Sequence, residues 1–420
     1  MLPTYIFENG MQLIRNDMPG FPLITLQVIV HTGVYAEKLP YETDHLLEHC
    51  VASETRPRKS GIVGQLGARS MAYTYPDMIT VYELSNVASS AVVSAKAMLA
   101  HLAMPDFEEE SIALERQAVR NERDGKSGPS AVFSRAHNET LWRARPNHSR
   151  QEQITVEHLK QLYFLAYRPD NMTAILSGDL SSPYAQDILE SLKAFSTAAD
   201  TNIGLYSAVD SGYDFSNVPS IINLNPLLNS QEDYNSVKVI NKSLGGFDFD
   251  IPDLLRVSSA VASRVLLSEG SKMYSKYVGM GLYDVSCDTL ASNMQGVEIA
   301  ISANAKNGEV GKARDFVDEC QDILLSGNYD AIISEDYLES IKSRLYYRTL
   351  RANESYNYSV QSLPKIHSRV RRRTPKYPYE IVDMVKTITI DDVRESISAV
   401  MLSKVTTVQY NMSHAEVNDA

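Results

Sequence analysis

Cysteine is scarce in this chain. Three (Cys50, Cys287 and Cys320) stand among 420 residues, too few for a disulfide framework, which points to a reducing compartment. Long apolar runs are missing as well: none approaches the roughly 18 residues that a membrane helix needs. The N-terminus, MLPTYIFENG, has neither a charged leader nor an apolar stretch behind it. No secretory signal or mitochondrial presequence is therefore read, and a soluble protein of the cytoplasm, without a membrane partner, is expected. Positive charge is in deficit. The formal net charge is −12, which argues against a nucleic-acid partner and describes a field that favours basic peptides. A basic cluster, Arg369, Arg371, Arg372 and Arg373 between Pro364 and Pro375, lacks the interleaved aromatics that would stack on bases. It reads as an exposed loop or partner-contact patch. Histidine is rare too, with 9 in the chain.

Two of those histidines bracket the stretch His45-Leu46-Leu47-Glu48-His49. On a helix, residues four apart are neighbours, with Cβ atoms about 5–6 Å apart. Both imidazoles then lie on one face and can grip one Zn²⁺. Glu48, at the edge of that face, can reach a zinc-bound water without being a ligand. This is the H-x-x-E-H order of the inverzincins, in which the metal acidifies water and the glutamate takes its proton. Composition alone would produce the pattern in about one such chain in a hundred. The plainer reading is two surface histidines on an amphipathic helix with an ordinary salt bridge. A third ligand decides between them, because catalytic zinc takes three protein groups plus water.

The segment Phe107–Gly125 (FEEESIALERQAVRNERDG) reads as a helix that stops at its glycine. Ile112, Glu115, Val119 and Glu122 share one stripe of it. Carboxylates are seldom buried unless paired or bound to metal, so two on the face a helix would bury are a functional signal. Glu108, Glu109 and Glu110 stand instead in the first turn, where negative charge suits the helix dipole and stays solvated. Cys50 neighbours His49, but an adjacent helical residue points elsewhere, and it reads as packing.

These motifs resemble the M16 metallopeptidases, the family of pitrilysin, insulysin and the mitochondrial processing peptidase. There, H-x-x-E-H is followed some seventy-odd residues later by two glutamates in an E-x6-E pair. The resemblance implies that Glu122 is the third zinc ligand beside His45 and His49, and that Glu115 is a supporting carboxylate. Ala72-Tyr73-Thr74-Tyr75-Pro76-Asp77 is similar to the family's A-Y-T-x-x-D strand, which implies substrate contacts at Ala72, Tyr73 and Thr74. Tyr167-Arg168-Pro169-Asp170-Asn171-Met172, running on to Gly178-Asp179-Leu180, resembles the stretch that ends the family's first domain. The match is strong over roughly residues 4–182 and weaker beyond.

The length suggests two domains of about 200 residues each. We read residues 1–195 as a zinc-binding catalytic domain, 196–233 as an interdomain linker rich in Ser, Asn, Asp and Thr, and 234–420 as a second, zinc-less domain. The fold class expected is α+β. Each domain would have a mixed, mostly antiparallel sheet with helices packed on one face, the M16/LuxS-like metallohydrolase fold. In the first half, Tyr5–Phe7, the Asn9-Gly10 turn and Met11–Ile14 read as a hairpin. Ile24–His31, almost wholly apolar, reads as a central strand. The zinc helix should start near Thr43 or Asp44, both good N-caps. Tyr73–Leu84 and Met172–Gly178 read as strands. Helices are expected at Ser60–Leu66, Val87–Leu102, Ala131–Trp142 and Val156–Ala166. In the second half, strands are expected at Tyr234–Ile240, Leu282–Cys287, Val297–Ala303 and Lys404–Tyr410. Helices are expected at Asp253–Ser268, Gly311–Leu325, Ser334–Leu350 and Thr389–Met401.

The chain departs from the family's pattern in places. Asp44 precedes His45, where small residues are common, and Met71 replaces an asparagine before the A-Y-T strand. In Ser271–Tyr283, read here as a flexible glycine-bearing loop, the family carries an arginine and a tyrosine seven apart that hold the substrate carbonyl and the oxyanion. Tyr283 reads either as the match to that tyrosine or as a core or rim tyrosine, Lys276 stands seven residues before it in place of the arginine, and lysine lacks the guanidinium fork. An intact zinc set beside a degraded pair implies a zinc-bearing subunit that works with a related zinc-less M16 partner or with a second copy of itself. The expected activity is zinc-dependent endopeptidase cleavage of short or unfolded peptides. Glu48 would be the general base and the peptide would add as a strand near Ala72–Thr74. The alternative is a non-proteolytic core or scaffold subunit of the same family.

Overall fold

The computed structural model of the protein describes residues 4–32, 39–40, 42–52, 66–75, 79–105, 107–125, 136, 154–197, 221–223, 235–243, 261, 271–290, 298–305, 310–326, 334–353, 378–402 and 405–412. The expected helices at 60–66, 131–142 and 253–268 fall almost wholly outside these residues, and so does the basic cluster at 369–373. The described elements gather in two compact units.

The first unit is built on β1 (Thr4–Ile6), β2 (Gln12–Asp17), β3 (Leu23–Val30), α1 (Thr43–Ala52), β4 (Arg69–Tyr75), β5 (Ile79–Val87), α2 (Ala88–Ala103), α3 (Glu109–Gly125), α4 (Val156–Ala166), β6 (Met172–Gly178) and α5 (Pro183–Lys193). Its six strands run in the order β1-β2-β6-β3-β5-β4. Only β2 and β6 pair in parallel; the other neighbours are antiparallel. The apolar run of β3 has the central place read for it, flanked by β6 and β5. Period-two alternation sends Ile24, Leu26, Val28 and Val30 to one face. There they meet Leu46 and Val51 of α1, Ala95 and Leu99 of α2, Leu159 and Leu162 of α4 and Ile188 of α5 in one continuous core. The other face of β3 is also buried but partly polar, and hydrogen bonds tie it to β5. Gln27 Nε2 donates to Glu83 Oε2 at 2.8 Å, and Thr25 donates to Ser85 at 2.9 Å.

Two readings of this half need correcting. Tyr73–Leu84 is not one strand but parts of the antiparallel pair β4 and β5, in register Ala72↔Tyr82 and Thr74↔Thr80. Residues 76–78, which join them, lie outside the described residues; Pro76 and Asp77 there are breakers that should have divided the strand. Helix α5 was not anticipated, although its signals were present. Ser182 caps it through Ala185 N and Pro183 opens it, while Ala185, Ile188, Leu189 and Leu192 form its buried stripe. The hairpin turn is tied to that helix: Asn9 Nδ2 donates to Leu192 O and Phe195 O, each at 2.9 Å. Beside it, Gly10 has φ +86°, and a Cβ there would lie 2.8 Å from Asp170 Cβ.

The second unit holds β7 (Ile221–Asn223), β8 (Asn235–Ser243), α6 (Lys272–Gly279), β9 (Tyr283–Leu290), β10 (Glu298–Ala305), α7 (Val310–Ser326), α8 (Glu335–Asn353), α9 (Pro378–Thr387), α10 (Ile390–Leu402) and β11 (Val405–Met412). The sheet order is β7-β11-β8-β10-β9. By chain rank that is first, last, second, fourth, third, the same permutation as β2-β6-β3-β5-β4. The parallel pair falls at the same place, β7 with β11. The two halves therefore repeat one α+β plan. Ile221–Asn223, an apolar island within the span read as linker, takes the place that β2 holds in the first sheet. The Ser271–Tyr283 segment is not a flexible loop. Ser271 accepts from Tyr274 N and caps α6, whose Met273 and Tyr277 are buried one helical turn apart. Its glycines close the helix: Gly281, with φ +91°, follows its end. No described helix is long and apolar enough to cross a membrane.

Candidate metal and catalytic site

Helix α1 starts from a constrained turn. Glu42 has φ +66°, a left-handed conformation uncommon for a non-glycine residue, and its carbonyl accepts from Leu46 N at 2.9 Å. Thr43, one of the two expected N-caps, instead donates its hydroxyl back to Pro40 O at 2.6 Å. Asp44 accepts from His45 N at 2.9 Å. Strain of this kind collects where a functional group must be aimed, and His45 stands three residues on. One turn on, the His45 and His49 rings meet edge to face with centroids 5.0 Å apart.

Helix α3 packs beside α1, and its mixed stripe explains how. Ile112 and Val119 are buried in the core, while Glu115 and Glu122 come to the histidines. Glu122 Oε2 lies 3.7 Å from His45 Nε2 and 3.5 Å from His49 Nε2. One ligand atom from each of these three residues can be chosen so that all lie within 4.8 Å of one another. A tetrahedral zinc with ligands at about 2.0–2.1 Å would set neighbouring ligand atoms about 3.4 Å apart, so the pocket is close to that size. Glu115 Oε2 lies 3.2 Å from the other ring nitrogen, His49 Nδ1. A carboxylate accepts, so Nδ1 carries the proton and Nε2 keeps its lone pair. That Nε2 is buried and has no hydrogen-bond partner. A bound cation would satisfy it, and the donor set of two imidazoles and a carboxylate suits zinc. Exposure grades across the group: the His49 side chain is 1% exposed and Glu122 43%. The floor is dry and braced, and the mouth is open.

Glu48 is 2% exposed and is held from the sheet. Thr74 Oγ1 donates to its Oε2 at 3.1 Å. Behind it, the hydroxyls of Tyr82 and Tyr167 share a hydrogen bond. Burial holds both phenols well above the ordinary tyrosine range, and the charge of Glu48 adds to the effect. They therefore stay protonated at working pH. Ala72 packs against the core, while Tyr73 is half-buried. Among the described residues β4 pairs only with β5, so it is the outer strand of its sheet.

The structure thus gathers His45, Glu48, His49, Glu115, Glu122 and Thr74, drawn from two helices and an edge strand. Lys276 belongs to α6 of the second unit. Its ammonium pairs with Glu319 at 2.6 Å, and the Tyr277 hydroxyl bonds the same carboxylate. Burial, then that bond, raises the Tyr277 hydroxyl above its ordinary range. Tyr283 opens β9 in the second unit. Sequence reasoning missed Thr80, which stands opposite Thr74, and Tyr82, which pairs with the motif residue Tyr167. Only recognition of the β4–β5 turn would have found them.

Compared by sequence, the chain matches no family model and no curated protein. Compared by structure, it is similar along nearly its whole length to several solved proteins. A protease from Helicobacter pylori superposes with a TM-score of 0.73 at 16% identity, covering 98% of this chain and 99% of that one. An M16-like protein from Alicyclobacillus acidocaldarius gives 0.72 at 16% identity and 98% of each chain. The inactive domain of a peptidase M16 from Pseudomonas fluorescens gives 0.68 at 16% identity, covering 97% of this chain and 98% of its own. The chain has the fold of the M16 peptidases.

Proposed function

We propose that the protein is a zinc-dependent endopeptidase of the M16 family that cleaves short or unfolded peptides. One observation carries the reading. The buried Nε2 of His49, without a hydrogen-bond partner, faces Glu122 within a three-residue group of metal-ligand size, and Glu115 fixes its tautomer. An inactive protein shares the fold, so the fold does not argue for catalysis by itself; the complete ligand set does. His45, His49 and Glu122 would hold the ion. Bound there, zinc would supply Lewis acidity that lowers the pKa of water toward about 7.

The chain's own residues do the rest. Glu48 accepts the proton of the attacking water and later delivers it to the leaving amine. Its near-complete burial leaves little bulk water to compete for the carboxylate. Glu115 holds the His49 ring in place. The outer strand β4 offers backbone groups at residues 72–74 to an extended peptide, with Ala72, Tyr73 and Thr74 beside it. Lys276, engaged by Glu319, is a poor substitute for an arginine that grips substrate. This supports the reading that a related zinc-less subunit or a second copy completes the site with such a group, whatever Tyr283 contributes. Cys50 and Cys320, both buried and in no disulfide, are compatible with the cytoplasm.

The test is cleavage of a mixed set of unstructured peptides by the purified chain, with zinc measured on the same sample. Cleavage lost with a chelator and in Glu48→Gln, at unchanged zinc content in the mutant, is the expected result. Cleavage that persists in Glu48→Gln would overturn the mechanism. Bound zinc without cleavage by the chain alone would favour the need for a partner subunit.

A further inference from the structure

Glu48 does not stand alone against the sheet. Thr74 Oγ1 donates to Glu48 Oε2 at 3.1 Å and also lies 3.3 Å from Thr80 Oγ1. Thr80 Oγ1 in turn lies 3.2 Å from Thr32 Oγ1. Each hydroxyl has one proton, and an ionised carboxylate can only accept, so the direction of the whole chain follows. Thr74 has given its proton to Glu48; it must accept from Thr80, and Thr80 from Thr32. Both supporting threonines are fully buried. Thr74 and Thr80 are direct cross-strand partners, and Thr32 follows the end of β3, so the sheet backbone sets all three positions. Their rotors have little freedom, because rotating one hydroxyl strands the next.

We infer that Thr74, backed by Thr80 and Thr32, is a positioning residue for Glu48. Its hydroxyl donates to one carboxylate oxygen and so fixes how the carboxylate is turned for the proton transfer assigned above; the inference rests on that assignment. The placement has a further consequence. Thr74 belongs to β4, the outer strand, so its backbone is where an extended peptide would pair while its side chain aims the base. Peptide docking stiffens the same segment that orients Glu48. The buried chain of hydroxyls then acts on the chemical step rather than on affinity.

The test uses Thr74→Val, which is nearly isosteric and lacks the hydroxyl, with Thr74→Ser as the rescue and Thr80→Val one link further out. Kinetics on an unstructured peptide, zinc content and crystal structures of the variants are read together. Thr74→Val should lower kcat by about tenfold or more, the usual weight of a hydrogen bond to a charged group. KM should stay within about twofold, with zinc content unchanged. In its crystal structure the Glu48 carboxylate should turn away or occupy more than one position. Thr74→Ser should restore both kcat and the carboxylate, and Thr80→Val should act in the same direction more weakly. If Thr74→Val does not fold, Thr80→Val carries the test. An unmoved Glu48 with unchanged kcat would overturn the proposal, as would a loss confined to KM. Cleavage that persists in Glu48→Gln, alongside a Glu48 carboxylate that swings loose in Thr74→Val, would refute the mechanism assigned above and leave the positioning of the carboxylate standing.

Discussion

Replacing Glu115 by alanine should weaken zinc binding without removing a ligand. Glu115 reaches the far side of the His49 ring, at 3.2 Å from Nδ1. The bond is charge-assisted and lies in a nearly dry place, with side-chain exposures of 1% for His49 and 13% for Glu115. It is also rather long for such a bond. Partners of this kind are worth about 10- to 100-fold in metal affinity, and the length argues for the lower half, roughly 10- to 30-fold. That corresponds to about 1.4–2 kcal/mol. The alanine variant also leaves the buried Nδ1–H without an acceptor, which should cost the apo protein about 1–3 kcal/mol. Glu115→Gln keeps an acceptor and should fall between wild type and alanine. Glu122→Ala removes a ligand and should lose more affinity than either. A zinc titration against a competing chelator ranks the four proteins, and denaturant unfolding of the apo forms separates the folding term. Glu115→Ala binding zinc as tightly as wild type, or Glu115 and Glu122 variants losing affinity equally, would refute the assignment of ligand and support.

Three further outcomes follow from the geometry. Tyr82→Phe leaves the buried Tyr167 hydroxyl without the partner it has in the structure and should cost about 1–3 kcal/mol. The double variant with Tyr167→Phe should cost less than the sum of the singles, and strict additivity in denaturant unfolding would count against a shared bond. Gly178→Ala should be among the most damaging single changes. Its φ is +136° and an added Cβ would lie 2.5 Å from Leu23 O, so about 3 kcal/mol or more is expected; expression at wild-type stability would contradict the backbone placement. Acid stability should depend on Asp392. Hydrogen bonds from the Thr389 hydroxyl and backbone N–H hold its carboxyl below the ordinary range. A folded value below the unfolded one gives stability that is present above about pH 4 and lost as pH falls through the folded value. Asp392→Asn should therefore lower stability at neutral pH and flatten the acid limb of an unfolding-versus-pH curve; an unchanged limb would argue against it.

Much of the site was legible because its spacings are local. Two histidines four apart on a helix must share a face, and Glu115 and Glu122 had to lie on the stripe that Ile112 and Val119 bury. Helix Val156–Ala166 and strand Met172–Gly178 were read to the residue for the same reason: period and end signals lie within a dozen positions. Where local signals were weak or overlaid, reading failed. The break between β4 and β5 was read through despite Pro76 and Asp77, and the glycines of Ser271–Tyr283 were taken for a loop when they only close a capped helix.

Sequence by itself determined which side chains are the candidates for chemistry, because residue type and helical spacing are properties of the chain. Tertiary structure alone decided who meets whom. Glu115 on His49 Nδ1, Glu122 on both Nε2 atoms and Thr74 on Glu48 join residues far apart along the chain, and no local rule sets those distances. They are set by α3 packing beside α1 and by the hairpin that lays β4 against β5. The repeat of one strand permutation in both halves belongs to the same level. Hydrogen-bond pairing between strands does not depend on side-chain identity, so a shared topology can persist where no shared sequence remains.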